Sequence, residues 1–406
     1  MNQTSLMVSQ SQFASQMYNV LLGQRLGKNE NVVFSPFSIF FALTMVLIGA
    51  RDETRTQMMK ALSVGGGFSN DHVGFETWQN TVLQPFVKDF LEKTKHDDKV
   101  MAMANRLFLA NDLKINREYS DFVLDTYKAS VGWSDFEKDP QGEREKINQW
   151  VEGKTNQLIK NLLSPMDINS NTRMVVVNAI YFLGEWKEKF NKKFTKEKVT
   201  FRQTAEQHGS GQILVNMMTK QGTNTQYGES DGFKWVKLPY SNTNYAMTFI
   251  IPSTDELTNE SERQFHNWVV EKLPNFSLQT QSIKLDTLSI PRFHMQHEES
   301  LGDILQSEPF SMTLPFSAEA DFRGLTSTEE DLTISKVIHK AVIKLNEEGT
   351  EAAAATAVVV TRKAAIFKRP EDKKEFIADR PFVYVLTHEP TNTILFLGKV
   401  VSPQEE

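Results

Sequence analysis

The chain contains no cysteine. Disulfide staples, thiolate nucleophiles and Cys-ligated zinc or iron–sulfur centres are therefore excluded. The compartment stays open, because a large core folds without cross-links in either redox environment. No apolar run reaches the roughly 18 residues that a membrane-spanning helix needs. No Gly-rich loop of Walker or Rossmann form occurs, which removes the usual phosphate cradles. An excess of basic charge is also lacking: Lys and Arg number 45 against 51 Asp and Glu, for a formal net charge of −6. Phosphate affinity comes mostly from counterions released by clustered cations, so neither nucleic acid nor an anionic membrane is expected as a partner. Proline is missing between Pro315 and Pro370. The opening MNQTSLMVSQSQFASQMYNVLLG lacks a basic stretch followed by a long apolar block, so no signal peptide is legible there.

What is present is a large, ordinary core composition. Of 406 residues, 40% are hydrophobic and 24% charged, enough to bury a sizeable interior. Apolar spacing predicts helices over Phe13–Leu26, Ser38–Leu62 (entered through Ser35-Pro36 and interrupted near Gly49), Phe75–Lys95 and Glu143–Leu163. Strands are predicted at Met174–Phe182, Phe233–Leu238, Tyr245–Ile251, Ile283–Phe293, Leu332–Leu345, Phe382–His388 and Thr393–Val400. Helices early, strands late and no Pro- or Ser-rich linker read as one α+β domain over residues 1–406. Asn2-Gln-Thr4 and Asn275-Phe-Ser277 fit the glycosylation pattern, a short and unspecific one.

Candidate catalytic motifs are weak. Gly228-Glu-Ser230-Asp-Gly232 matches the G-x-S-x-G elbow of hydrolases, which requires a helix after the serine. The residues that follow, FKWVKLPY, alternate like a strand and favour a hairpin turn. His294 and His297 have helical metal-ligand spacing, but the preceding LSIPRF is strand-like and no third ligand follows. His339, inside ISKVIHKAVIKL, reads as a buried, hydrogen-bonded histidine. No metal, no cofactor and no enzymatic activity are expected.

The informative segment is GTEAAAATAVVVTRKAA, Gly349–Ala365. Its alanines favour helix. Gly349 and the β-branched Val358-Val359-Val360-Thr361 oppose it. As a strand, Thr350, Ala352, Ala354 and Thr356 face one way, and Glu351, Ala353, Ala355 and Ala357 the other. Such small side chains can pass between two existing strands, and the missing proline leaves every N–H for a ladder. The ramp ends at Arg362-Lys363, a site open to trypsin-like enzymes.

Several separated blocks resemble the serpin family of serine-protease inhibitors. They are NVVFSPFSIFFALTMVLIGARDETRTQMMKAL at Asn31–Leu62, TRMVVVNAIYFLGEWKEKF at Thr172–Phe190 and ISKVIHKAVIKLNEEGTEAAAATA at Ile334–Ala357. FIADRPFVYVLTHEPTNTILFLGKVVSP at Phe376–Pro403 and the shorter VNMMTKQG at Val215–Gly222 continue the series. The resemblance implies a fold of three β-sheets and about nine helices, with a reactive loop over about 347–380. It implies a covalent suicide inhibitor of a trypsin-like serine protease, whose cleaved loop inserts into the central sheet. The alternative it leaves open is a non-inhibitory carrier or chaperone.

By the family's loop length, Lys363–Ala364 is the implied reactive bond, or Arg362 if the loop is one residue shorter. The implied hinge is Gly349, Thr350, Glu351, Ala352, Ala353, Ala354, Ala355 and Thr356. Ser35, Ser38, Asn178 and His339 match the family's shutter, and Trp186, Arg292 and Glu347 its breach, with Arg292 and Glu347 as an ion pair. Ordinary structural polarity is the alternative for all seven. Thr350→Arg is expected to leave the fold intact but turn inhibitor into substrate. Cleavage after Arg369 is blocked by Pro370. Between Ala364 and Pro381 the chain is longer than in many relatives and carries KRPEDKK, which fits either a separate recognition surface or a looser loop. Over Ala61–His96 scattered lysines are balanced by acids, so no glycosaminoglycan cofactor is indicated. A monomer, secreted or otherwise extracellular, is expected.

Overall fold

The computed structural model describes residues 4–26, 28, 30–69, 71–95, 97, 100–204, 211–326, 332–350 and 373–405. Its strands form a seven-stranded and a nine-stranded network. At the middle of the smaller one, Met174–Phe182 pairs with Lys336–Leu345 in parallel, from Val175↔Lys336 to Tyr181↔Val342. Met101–Ala110 and Phe293–Ser300 flank this pair, each antiparallel to its neighbour. The seam is thus a parallel joint between two strands whose outer neighbours both run antiparallel to them. Val175, Val176, Val177 and Ile180 suit a strand buried on both faces, and every residue of Met174–Phe182 is buried.

Beneath this sheet runs the helix Pro36–Gly49, all of whose residues are buried. A helix apolar all round needs cover on every side. It gets that cover from the sheet strands Met101–Ala110 and Met174–Phe182 and from Thr393–Val400 of the other network. Ser35 starts it, the side-chain oxygen accepting from the Ser38 N–H, with Pro36 in the first helical turn. It stops at Gly49, where a Cβ would come within 2.6 Å of Leu325 Cβ.

In the nine-stranded network the 19-residue strand Gln212–Ser230 is shared. It pairs with Lys196–Arg202 at its start, with Phe233–Pro239 at its end and with Gln281–Pro291 along its length. The two smaller sheets of the expected three thus join into one hydrogen-bonded whole. Among the described residues there are nine α-helical segments, His72–Trp78 and Gln84–Thr94 being joined by a π-turn at Gln79–Leu83. The helices Arg117–Tyr127 and Asn259–Lys272 were not predicted, and the predicted Glu143–Leu163 runs instead from Pro140 to Lys154. No described helix is long and apolar enough to cross a membrane.

Candidate functional site

The parallel seam carries polar groups at two levels. At mid-height, strand register places Asn105 opposite Asn178 and Asn178 opposite His339. Directly opposed residues share a face, so this polar row points together toward the start of the helix below. His339 is fully buried, and its Nε2 accepts from the Ser35 N–H at 3.1 Å. The ring proton must then sit on Nδ1, which donates to Asn178 Oδ1. Asn178 Nδ2 donates to Ser38 Oγ and to Asn105 Oδ1, both at 2.6 Å, and Ser38 Oγ donates to Asn105 Oδ1 at 3.1 Å. Burial, with a smaller contribution from His297, lowers the His339 pKa to about 3. A second proton would aim Nε2–H at the Ser35 N–H, donor against donor. The network therefore ties two sheet strands and a helix N-terminus together only while His339 is neutral.

At the head of the seam, Glu347 is 1% exposed. Arg292 Nε lies 2.8 and 2.9 Å from its two carboxylate oxygens, and Thr195 Oγ1 also donates to it. Burial pushes the Glu347 carboxyl up, but the Arg292 and Thr195 hydrogen bonds outweigh it and hold the group below the usual carboxylate range. Trp186 is buried, with its indole N–H donating to Asn346 O at 3.1 Å and its backbone N–H to Glu348 O at 2.8 Å. Its ring stacks on Tyr240 with centroids 4.5 Å apart. Glu348 forms ion pairs with Lys189 at 3.0 Å and Lys192 at 3.4 Å.

Gly349–Thr350 is a two-residue strand between Lys336–Leu345 and Gly184–Glu185, antiparallel to both. Gly349 adopts φ +152, and a Cβ there would stand 1.8 Å from Gly184 O. Only glycine fits. Thr350 is fully buried, and its hydroxyl hydrogen-bonds the Tyr240 hydroxyl at 2.7 Å. This corrects the expectation for Thr350→Arg: a cation there must be buried in the intact protein, so the substitution strains the intact seam as well as any later movement.

The structure thus brings Ser35, Ser38, Asn178 and His339 into one network, and Trp186, Arg292, Glu347, Gly349 and Thr350 into another. Glu351, Ala352, Ala353, Ala354, Ala355, Thr356, Arg362, Lys363 and Ala364 lie outside the described residues. Asn105, Thr195 and Tyr240 were missed. Asn105 had a legible signal, an amide at the centre of MAMANRLFLA; the other two are ordinary polar residues whose roles only the fold creates. Ser230 ends a strand at the tight Asp231-Gly232 turn, both residues at positive φ, and pairs with Phe233 across a hairpin. His294 and His297 lie on the strand Phe293–Ser300, and no three His, Asp or Glu side chains among the described residues form a metal cage.

A family profile described as Serpin (serine protease inhibitor) matches residues 8–403. Human serpin B4 is 35% identical over 394 residues, covering 95% of this chain and 97% of that protein. The bovine leukocyte elastase inhibitor is 34% identical, covering 92% and 93%. The crystal structure of human thyroxine-binding globulin complexed with thyroxine superposes with a TM-score of 0.80 at 26% identity, covering 98% and 99%. With its parallel seam, its polar networks and its matches along almost the whole length, the chain belongs to the serpin family.

Proposed function

We propose that this protein inhibits trypsin-like serine proteases as a suicide substrate, through an acyl-enzyme at Lys363 and insertion of the cleaved loop into the parallel seam. The observation that carries this reading is Gly349–Thr350: a strand already started, antiparallel to both neighbours, at the head of a seam whose strands are otherwise paired to each other. Strand addition needs an antiparallel slot, a small side-chain profile and no proline. The stretch Glu351–Thr356 has that profile in its sequence. Serpin loop insertion is the usual example of such strand addition and strain release.

Inserting roughly a dozen residues adds about as many net backbone hydrogen bonds, at ~1 kcal/mol each. A total of ~10 kcal/mol rivals the ~5–15 kcal/mol stability of an ordinary domain. The intact form is then held by a barrier rather than by depth. Either Lys363 or Arg362 supplies a cation for a specificity pocket with a carboxylate at its base. The working unit is a monomeric single domain, extracellular, with the protease as its partner and no catalytic activity of its own.

Mixing the protein with trypsin and separating the products on a denaturing gel tests this. The expected result is a stable complex and a released C-terminal peptide beginning at Ala364. A peptide beginning at Lys363 transfers the role to Arg362. Nicked protein with protease activity intact favours the second reading, a ligand carrier, which the thyroxine complex of the structural neighbour supports.

A further inference from the structure

Behind the seam head lies a recess of ≈ 160 Å³ that none of the functional arguments above uses. Trp186, Lys220, Thr225, Leu238, Ser282 and Leu288 line it. Two of these side chains have hydrogen-bonding capacity to spare. Thr225 is 8% exposed, and among the described residues its Oγ1 has no hydrogen-bond partner. Lys220 donates to Glu188 O, and its ammonium stands 4.4 Å from the Phe190 ring centroid. An ammonium has three N–H groups, so two remain for an acceptor. Burial lowers the Lys220 pKa to about 8, against the opposing pull of Glu188. Lys187 and Lys237 add positive charge at the rim, Lys237 being paired with Glu389, while Glu188 is the acidic residue of the lining.

We propose that this recess binds a small organic carboxylate, its oxygens accepting from the Lys220 ammonium and the Thr225 hydroxyl and its apolar part lying on Leu238 and Leu288. A buried hydroxyl without a partner is costly, and a half-exposed ammonium with spare donors is complementary to the same oxyanion. The two leucines favour an acid with a hydrocarbon body over a bare inorganic ion. The occupant would also touch Trp186, whose indole N–H secures Asn346 at the base of the loop. Binding would then bias seam opening by its differential affinity for the two states. That coupling rests on the insertion reading; the binding site does not.

Isothermal titration of the intact protein with benzoate, its neutral isostere benzamide and orthophosphate tests the site. Benzoate is expected to bind at one site, with benzamide and orthophosphate each about tenfold weaker or worse, the scale of a lost charge-assisted hydrogen bond. Lys220→Met and Thr225→Val should each weaken benzoate by about fivefold or more on the same scale. Equal binding of benzamide, orthophosphate as tight as benzoate, no heat with benzoate, or unchanged affinity in the variants overturns the proposal. If Lys220→Met fails to fold, the nearly isosteric Thr225→Val decides. A protein that binds benzoate but forms no trypsin complex would refute the inhibitor reading alone, and the reverse result would refute this site alone.

Discussion

His339 shows how one neutral side chain can tie two strands to the start of a helix. Its folded pKa lies near 3, below the ordinary 6.5, because burial penalises the cation. The unfolded chain therefore binds a proton between those values while the folded chain does not, and stability falls as pH drops through that window. His266 and His388, both lowered to about 4 chiefly by burial, act in the same direction. His339→Gln keeps an acceptor for Ser35 and a donor for Asn178 but no longer titrates. Between pH 7 and pH 5, urea unfolding should show its stability falling less than that of wild type, by about 2 kcal/mol in total. The slope nears ~1.4 kcal/mol per pH unit only below pH 6.5. Identical slopes would refute the assignment. Arg292 and Glu347 make a different case. Arg292→Met leaves a carboxylate in the interior and should cost about 2–3 kcal/mol, toward the low side for buried pairs because Arg292 is 28% exposed. Adding Glu347→Gln should restore most of the loss in the same urea assay. His339 was legible as a lone histidine in an apolar run, and the Arg292–Glu347 pair through family resemblance. Tyr240 was not, since its partner Thr350 lies more than a hundred residues away and no local pattern joins them.

At the level of single elements, the decisive piece is two residues long. Gly349–Thr350 occupies a slot too tight for any Cβ at the first position and too dry for a charge at the second. Thr350→Arg should lower the melting point of the intact protein by several degrees and abolish the trypsin complex, leaving nicked chains. Thr350→Ser, which keeps the hydroxyl for Tyr240, should preserve both. A Thr350→Arg protein as stable as wild type would show that the slot is looser than drawn. Met174–Phe182 was readable because its apolar run is nearly unbroken, whereas Met101–Ala110 was not predicted, Asn105 and Arg106 interrupting its apolar run. The Asn259–Lys272 helix was not predicted either, because its sequence NESERQFHNWVVEK is mostly polar. Its start is fixed instead by the Thr258–Ser261 capping box, in which serine stands where the usual signature has Glu or Gln. Strand Gln212–Ser230 was missed for a related reason: its second half, QGTNTQYGES, is almost wholly polar.

For the molecule as a whole, severing the loop should raise stability. Protein nicked by trypsin at Lys363 is expected to gain on the order of 10 kcal/mol over the intact form, measured as a higher denaturant midpoint. No gain would remove insertion from the account. The pairing at Thr350 also acts as a ruler. Continue it down both neighbours, residue by residue, and Thr356 arrives level with His339 and Asn178 at once, since those two already oppose each other. Each further step stays aligned until Val359 meets Lys336 and Val175, the foot of the paired region. On the insertion reading the segment and the track match in length, and a threonine draws level with the one rung, His339 and Asn178, that is polar on both strands. A bulky Thr356→Trp should consequently jam the slide about halfway, with the head of the loop zipped and its foot still hanging in water.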